Sequence, residues 1–91
     1  RDNMTATGAS KNDDTAGGDI IASATTTYIN GELAALDGDA VASHGIGLHA
    51  GPTMIAGSNN VWIEGKKAVN AGDLATCGHA ASGSTTVFIG N

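Results

Sequence analysis

One cysteine, Cys77, is too few for an intramolecular disulfide. That matters for a chain of 91 residues, since a domain of this size buries only about 60% of its unfolded surface and its apolar core stabilises weakly. The remaining staples are a metal or a partner subunit. Positive charge is also scarce. Arg1, Lys11, Lys66 and Lys67 face nine acidic residues, giving a formal charge of −5. This is the wrong sign for neutralising phosphates or adhering to anionic headgroups, and it argues against nucleic-acid binding. No stretch approaches the roughly 18 consecutive apolar residues of a spanning helix. The N-terminus lacks the basic-then-apolar pattern of a signal peptide. The expectation is a protein assembled in the cytoplasm that reaches the outside by another route. Aromatic residues are limited to Tyr28, Trp62 and Phe88, and proline to Pro52.

What the chain does have is glycine, 14 residues of it, set among Ala, Ser, Thr and Asn. Such a composition predicts short strands joined by tight turns. The segments 22–31, 56–65 and 82–91 superpose without a gap on a shared pattern: small residues, polar residues, a β-branched residue, an aromatic, Ile, then a turn. A second element follows the first two copies, since Gly31-Glu-Leu-Ala-Ala-Leu-Asp-Gly-Asp39 matches Gly65-Lys-Lys-Ala-Val-Asn-Ala-Gly-Asp73 at an offset of 34 residues. Helical repeats of similar period need a sustained 3.6-residue apolar pattern, and glycine interrupts it here. The fold class expected is all-β: one domain over 1–91, with an irregular part at 1–19 and strand repeats at about 20–31, 54–65 and 80–91. Strands this short do not stand alone, so three equivalent units are expected to pack around a pseudo-three-fold axis.

Alternation along each strand places Thr27/Ile29, Val61/Ile63 and Val87/Ile89 on one face, the expected inner one, and Tyr28, Trp62 and Phe88 on the other. Two readings of the aromatics stay open: packing beneath loops, or a ring of equivalent contacts for a partner. Asp39 and Asp73 each follow a glycine and read as turn caps rather than a catalytic pair. The glycine-rich stretches lack the spacing of either phosphate-cradling loop.

All histidines and the cysteine fall between 44 and 79, as His44-Gly-Ile-Gly-Leu-His49 and Cys77-Gly-His79. The 34-residue shift lays His44 and its neighbours on the Cys77–His79 stretch, so both clusters leave equivalent Gly-Asp turns and should meet. One thiolate and three imidazoles make a complete tetrahedral shell for a structural zinc ion. The alternative is three solvated loop histidines and a small buried cysteine. A catalytic metal would need an open position and a nearby acid or base. A Cys77–His79 nucleophile would lack an oriented base and oxyanion donors. The chain is therefore expected not to be an enzyme.

These elements resemble the PAAR-repeat family, in which a G-S-x-x-V-[aromatic]-I-x-G strand precedes G-x-P-A-A-R-x-G-D. The resemblance covers residues 20–91. The signature tetrapeptide is degenerate here, as Leu33-Ala34-Ala35-Leu36 and Lys67-Ala68-Val69-Asn70, and Thr5 stands where a uniform repeat would place the N-terminal Asp. The resemblance implies a small cone of short strands. Its broad base would dock on a trimeric β-helical spike of a type VI secretion system or contractile phage tail, one tip per trimer. Near the apex, three His and one Cys would hold zinc, matching His44, His49, Cys77 and His79. The function implied is a bare structural tip that sharpens the spike, touches the target membrane in passing and has no small-molecule substrate. A small metal-dependent hydrolase and a β module binding a surface ligand are the competing readings.

Overall fold

Residues 7–57 and 61–89 are described by a computed structural model. Eight strands of two residues each pair as β1 (Thr7–Gly8) with β8 (Phe88–Ile89), β2 (Ile20–Ile21) with β5 (Ala40–Val41), β3 (Tyr28–Ile29) with β4 (Glu32–Leu33), and β6 (Trp62–Ile63) with β7 (Lys66–Lys67), all antiparallel. No α-helix occurs among the described residues, and none is long and apolar enough to cross a membrane.

Two of these pairs are hairpins whose turns follow from sequence. Asn30-Gly31 and Glu64-Gly65 all take positive φ, between 51° and 85°. Two successive left-handed residues define the type I′ turn, whose twist matches that of the flanking strands. The third hairpin is assembled from the two ends of the chain, with Phe88 opposite Gly8 just as Tyr28 lies opposite Leu33 and Trp62 opposite Lys67.

Below the hairpins the three units join through a closed ring of backbone bonds. Ser10 N–H donates to the Val69 carbonyl, Val69 to Ala35, and Ala35 back to Ser10, at 2.9, 3.0 and 3.0 Å. Single bridges repeat the same cycle as Lys11–Ala34, Leu36–Ala68 and Asn70–Ala9. Each unit then turns on an aspartate. The carboxylates of Asp14, Asp39 and Asp73 accept from the N–H groups of Lys11, Leu36 and Asn70 at 2.9, 2.7 and 3.0 Å. The capping role expected of Asp39 and Asp73 is therefore observed. Thr5 lies outside the described residues, and the residue that does this work in the N-terminal unit is Asp14. Residues 7–14 take part in the ring and in an aspartate turn as the two later units do.

Small residues let the three units approach so closely. One core cluster gathers Ala16, Ile20, Ala35, Val41, Met54, Val69, Ala75 and Ala81, and packs against Cys77. A second lies against the hairpins and holds Ala9, Ala24, Ile29, Ala34 and Leu36, with Ile63, Val87 and Ile89 at its margin. The isoleucine face is the inner one, as alternation predicts, but the deepest large side chains are Ile20, Met54 and Val69 of the other cluster. Tyr28, Trp62 and Phe88 are 62%, 62% and 59% exposed, so they do not pack beneath loops.

One link between units is a set of hydrogen bonds to a carboxylate. The Glu64 carboxylate accepts from the backbone N–H groups of Thr25 and Thr26, at 3.0 and 3.1 Å, and from the hydroxyls of Thr25, Thr26 and Thr27. The Thr25 and Thr26 N–H groups, the largest cause, hold its acidity at about 2, below an ordinary glutamate. A depressed folded-state value means the contribution is complete above the unfolded value of 4.5 and is lost as pH falls towards 2. Glu64→Gln is expected to flatten the stability-versus-pH curve in that window, measured by urea unfolding at successive pH values. An unchanged slope would show that another carboxylate governs acid sensitivity.

Candidate metal centre

Three connections return the chain from the aspartate turns to the core, over 15–19, 40–53 and 74–80, with Ile20, Met54 and Ala81 receiving it. The N–H groups of those three residues bond the carbonyls of Asp14, Asp39 and Asp73 at 2.7, 2.8 and 2.8 Å. All three connections therefore leave the ends of equivalent turns and rise from the face opposite the hairpins. The second carries His44 and His49, and the third Cys77 and His79.

The structure brings all four predicted ligands together. One donor atom from each lies within 4.8 Å of the others. The three imidazole centroids are 5.0, 5.0 and 5.2 Å apart. His44 Nε2 is 3.2 Å from His49 Nδ1 and 3.6 Å from Cys77 Sγ. The edges of a tetrahedron with bonds of 2.0 to 2.3 Å are about 3.3 to 3.8 Å long, so these separations suit one small ion at the centre. Ligand orientation is also built in. His44 Nδ1–H donates to the Ala42 carbonyl at 3.0 Å, which turns Nε2 towards the other donors. The loop bearing the two histidines is closed at its base by His44 N–H bonding the His49 carbonyl, 2.9 Å, and Gly47–His49 forms a single 3-10 turn.

The first connection supplies no ligand but fits over the site. A Cβ built on Gly17 would stand 2.5 Å from both His44 Nε2 and His79 Cδ2, and one on Gly18 would meet the Ala42 carbonyl at 2.2 Å. Gly17 also has φ +87°, which favours glycine independently. The two glycines let this loop lie against the imidazoles. Their role escapes a search for ligand residue types, and the only sequence signal is their position three and four residues after Asp14, close to that of His44 and Cys77, five and four residues after Asp39 and Asp73.

The PAAR motif family model matches the chain twice, over residues 10–79 and 44–91. The chain belongs to the PAAR family: it is a small, cone-shaped all-β domain of the kind found at the spike tips of contractile injection systems. Such domains are structural and associate with a spike. A search of curated proteins returns no match.

Proposed function

We propose that this chain is a zinc-stapled tip that caps a trimeric, β-helical spike, one chain per trimer, and meets the target membrane apex first. It would be delivered with the spike from the producing cell, or with the tail of a phage, and would catalyse no reaction. The donor set favours zinc, because a thiolate with three imidazoles suits a borderline-soft, tetrahedral ion and offers nothing to the oxygen-seeking calcium or magnesium. Four protein donors, with Gly17 against them, support a structural rather than a catalytic ion.

The observation that carries the docking mode is the threefold equivalence of the hairpin end. Tyr28, Trp62 and Phe88 occupy matching strand positions, all exposed, and Lys67 Nζ lies 5.8 Å over the Trp62 ring. One chain thereby offers three similar patches to three identical spike chains. Trp62→Ala is expected to weaken binding to a trimeric β-helical spike by about 2 kcal/mol or more, as truncation of an aromatic anchor does, with zinc content and fold unchanged. Isothermal titration reads the change. Unaltered affinity of a folded, metal-loaded variant would move the interface to the turns at Asn30-Gly31 and Glu64-Gly65.

A further inference from the structure

The His44–His49 loop has a second property besides supplying ligands. Between the two histidines it reads Gly-Ile-Gly-Leu, and Ile46 and Leu48 are 88% and 69% exposed, the two most exposed large apolar side chains among the described residues. Exposed apolar side chains grouped on one loop mark a candidate interaction site. This loop presents them while closed at its base by a backbone bond and flanked by two candidate ligands. It also belongs to 40–53, the longest of the three connections at this end.

Charge is distributed to match. The chain carries nine acidic and four basic residues, yet no Asp, Glu, Lys or Arg occurs from 40 to 63 or from 74 onwards. Among the three connections at the metal end the single charged residue is Asp19, the last of 15–19. The hairpin end, by contrast, carries Glu32, Glu64, Lys66 and Lys67. A charged side chain driven into hydrocarbon is expensive, and the three connections carry only Asp19.

We infer that Ile46 and Leu48 form an apolar finger that enters the interfacial and upper acyl region of a zwitterionic phospholipid bilayer. The inference rests on the spike-tip reading and names the first surface the tip engages. Two side chains are too little area for a stable protein interface, which buries about 800 Å² per partner, whereas lipid insertion needs only aliphatic side chains on a rigid support. The small apolar area also makes the contact reversible, as single weak anchors are.

The test uses the zinc-loaded chain and phosphatidylcholine vesicles at high salt, where attraction between surface charges is screened. Weak partitioning of the wild type is expected at millimolar lipid, and Ile46→Asp or Leu48→Asp should each lower it by about ten-fold or more, the factor implied by losing one buried aliphatic side chain. Ile46→Ser serves as a milder variant should the charge disturb the loop, with zinc content and circular dichroism confirming the fold. Brominated acyl chains should quench the emission of Ile46→Trp but leave Trp62, at the far end, unquenched. Absence of wild-type partitioning at millimolar lipid, equal partitioning of the folded variants, or quenching of Trp62 in place of residue 46 would each overturn the finger. Spike binding is read in parallel. Intact spike binding without vesicle binding removes the finger alone, while loss of spike binding by the wild type removes the tip reading itself.

Discussion

Stripping the metal is expected to lower the melting temperature by about 15 °C or more, and Cys77→Ser to reproduce most of that loss. The reason lies in how little else holds the metal end together. A chain of 91 residues has a total stability of about 5 to 14 kcal/mol. A structural zinc ion contributes roughly 10 to 16 kcal/mol to the folding of small zinc domains. The connections that carry the ligands are mostly exposed: none of the residues in the Gly47–His49 turn is buried, and Cys77 only skirts the core cluster. Without the ion three imidazoles and a thiol crowd together with few contacts beneath them. A loss of about 3 kcal/mol shifts the melting temperature of a domain this size by about 12 to 24 °C. Gly17→Ala probes the same shell from outside, since a methyl there must displace His44 or His79. Calorimetry with and without a chelator decides the matter, and a chelated protein melting within about 3 °C of the loaded one would show that the four donors are not a structural staple.

Ile20→Ala is expected to cost about 2 to 5 kcal/mol, a comparable share of the total, and Met54→Ala a similar amount. These residues sit at equivalent positions in two units and are almost fully buried, while the third equivalent, Ala81, is small. The two large side chains therefore fill space that three share by symmetry. Ile63→Ala and Ile89→Ala, whose side chains lie at the margin of the hairpin cluster, should cost less, about 1 to 2 kcal/mol. Urea unfolding gives the ranking, and larger losses at Ile63 than at Ile20 would place the main core beneath the hairpins.

The strand triplets were legible because a period of two sorts Thr27/Ile29 from Tyr28 without reference to anything distant. The four candidate donors were legible because the chain has only three histidines and one cysteine. The N-terminal copy was hidden by unequal connections: 15–19 is much shorter than 40–53, so a uniform shift lands on Thr5 and passes over Asp14. Its hairpin gave no local sign either, because Thr7 and Phe88 are at opposite ends of the sequence and no turn joins them. The grip of Glu64 on Thr25, Thr26 and Thr27 crosses between units, and nothing in the spacing of a turn glutamate announces a distant partner. Exposure of Ile46 and Leu48 likewise depends on how the loop is held, which periodicity does not report.

The hairpin made from both chain ends leaves the molecule without a structurally privileged first repeat. Thr7 faces Ile89 in the register in which Glu32 faces Ile29 across a two-residue turn. A two-residue Asn-Gly link from Ile89 to Thr7 would complete a third type I′ turn, and the chain opened instead between Asn30 and Gly31 would run through the same three units in rotated order. Such a circular permutant keeps every strand pair, every aspartate turn and the metal donors. The two hairpin turns and the Ile89–Thr7 edge are thus three equivalent places at which the backbone could be opened or a segment inserted.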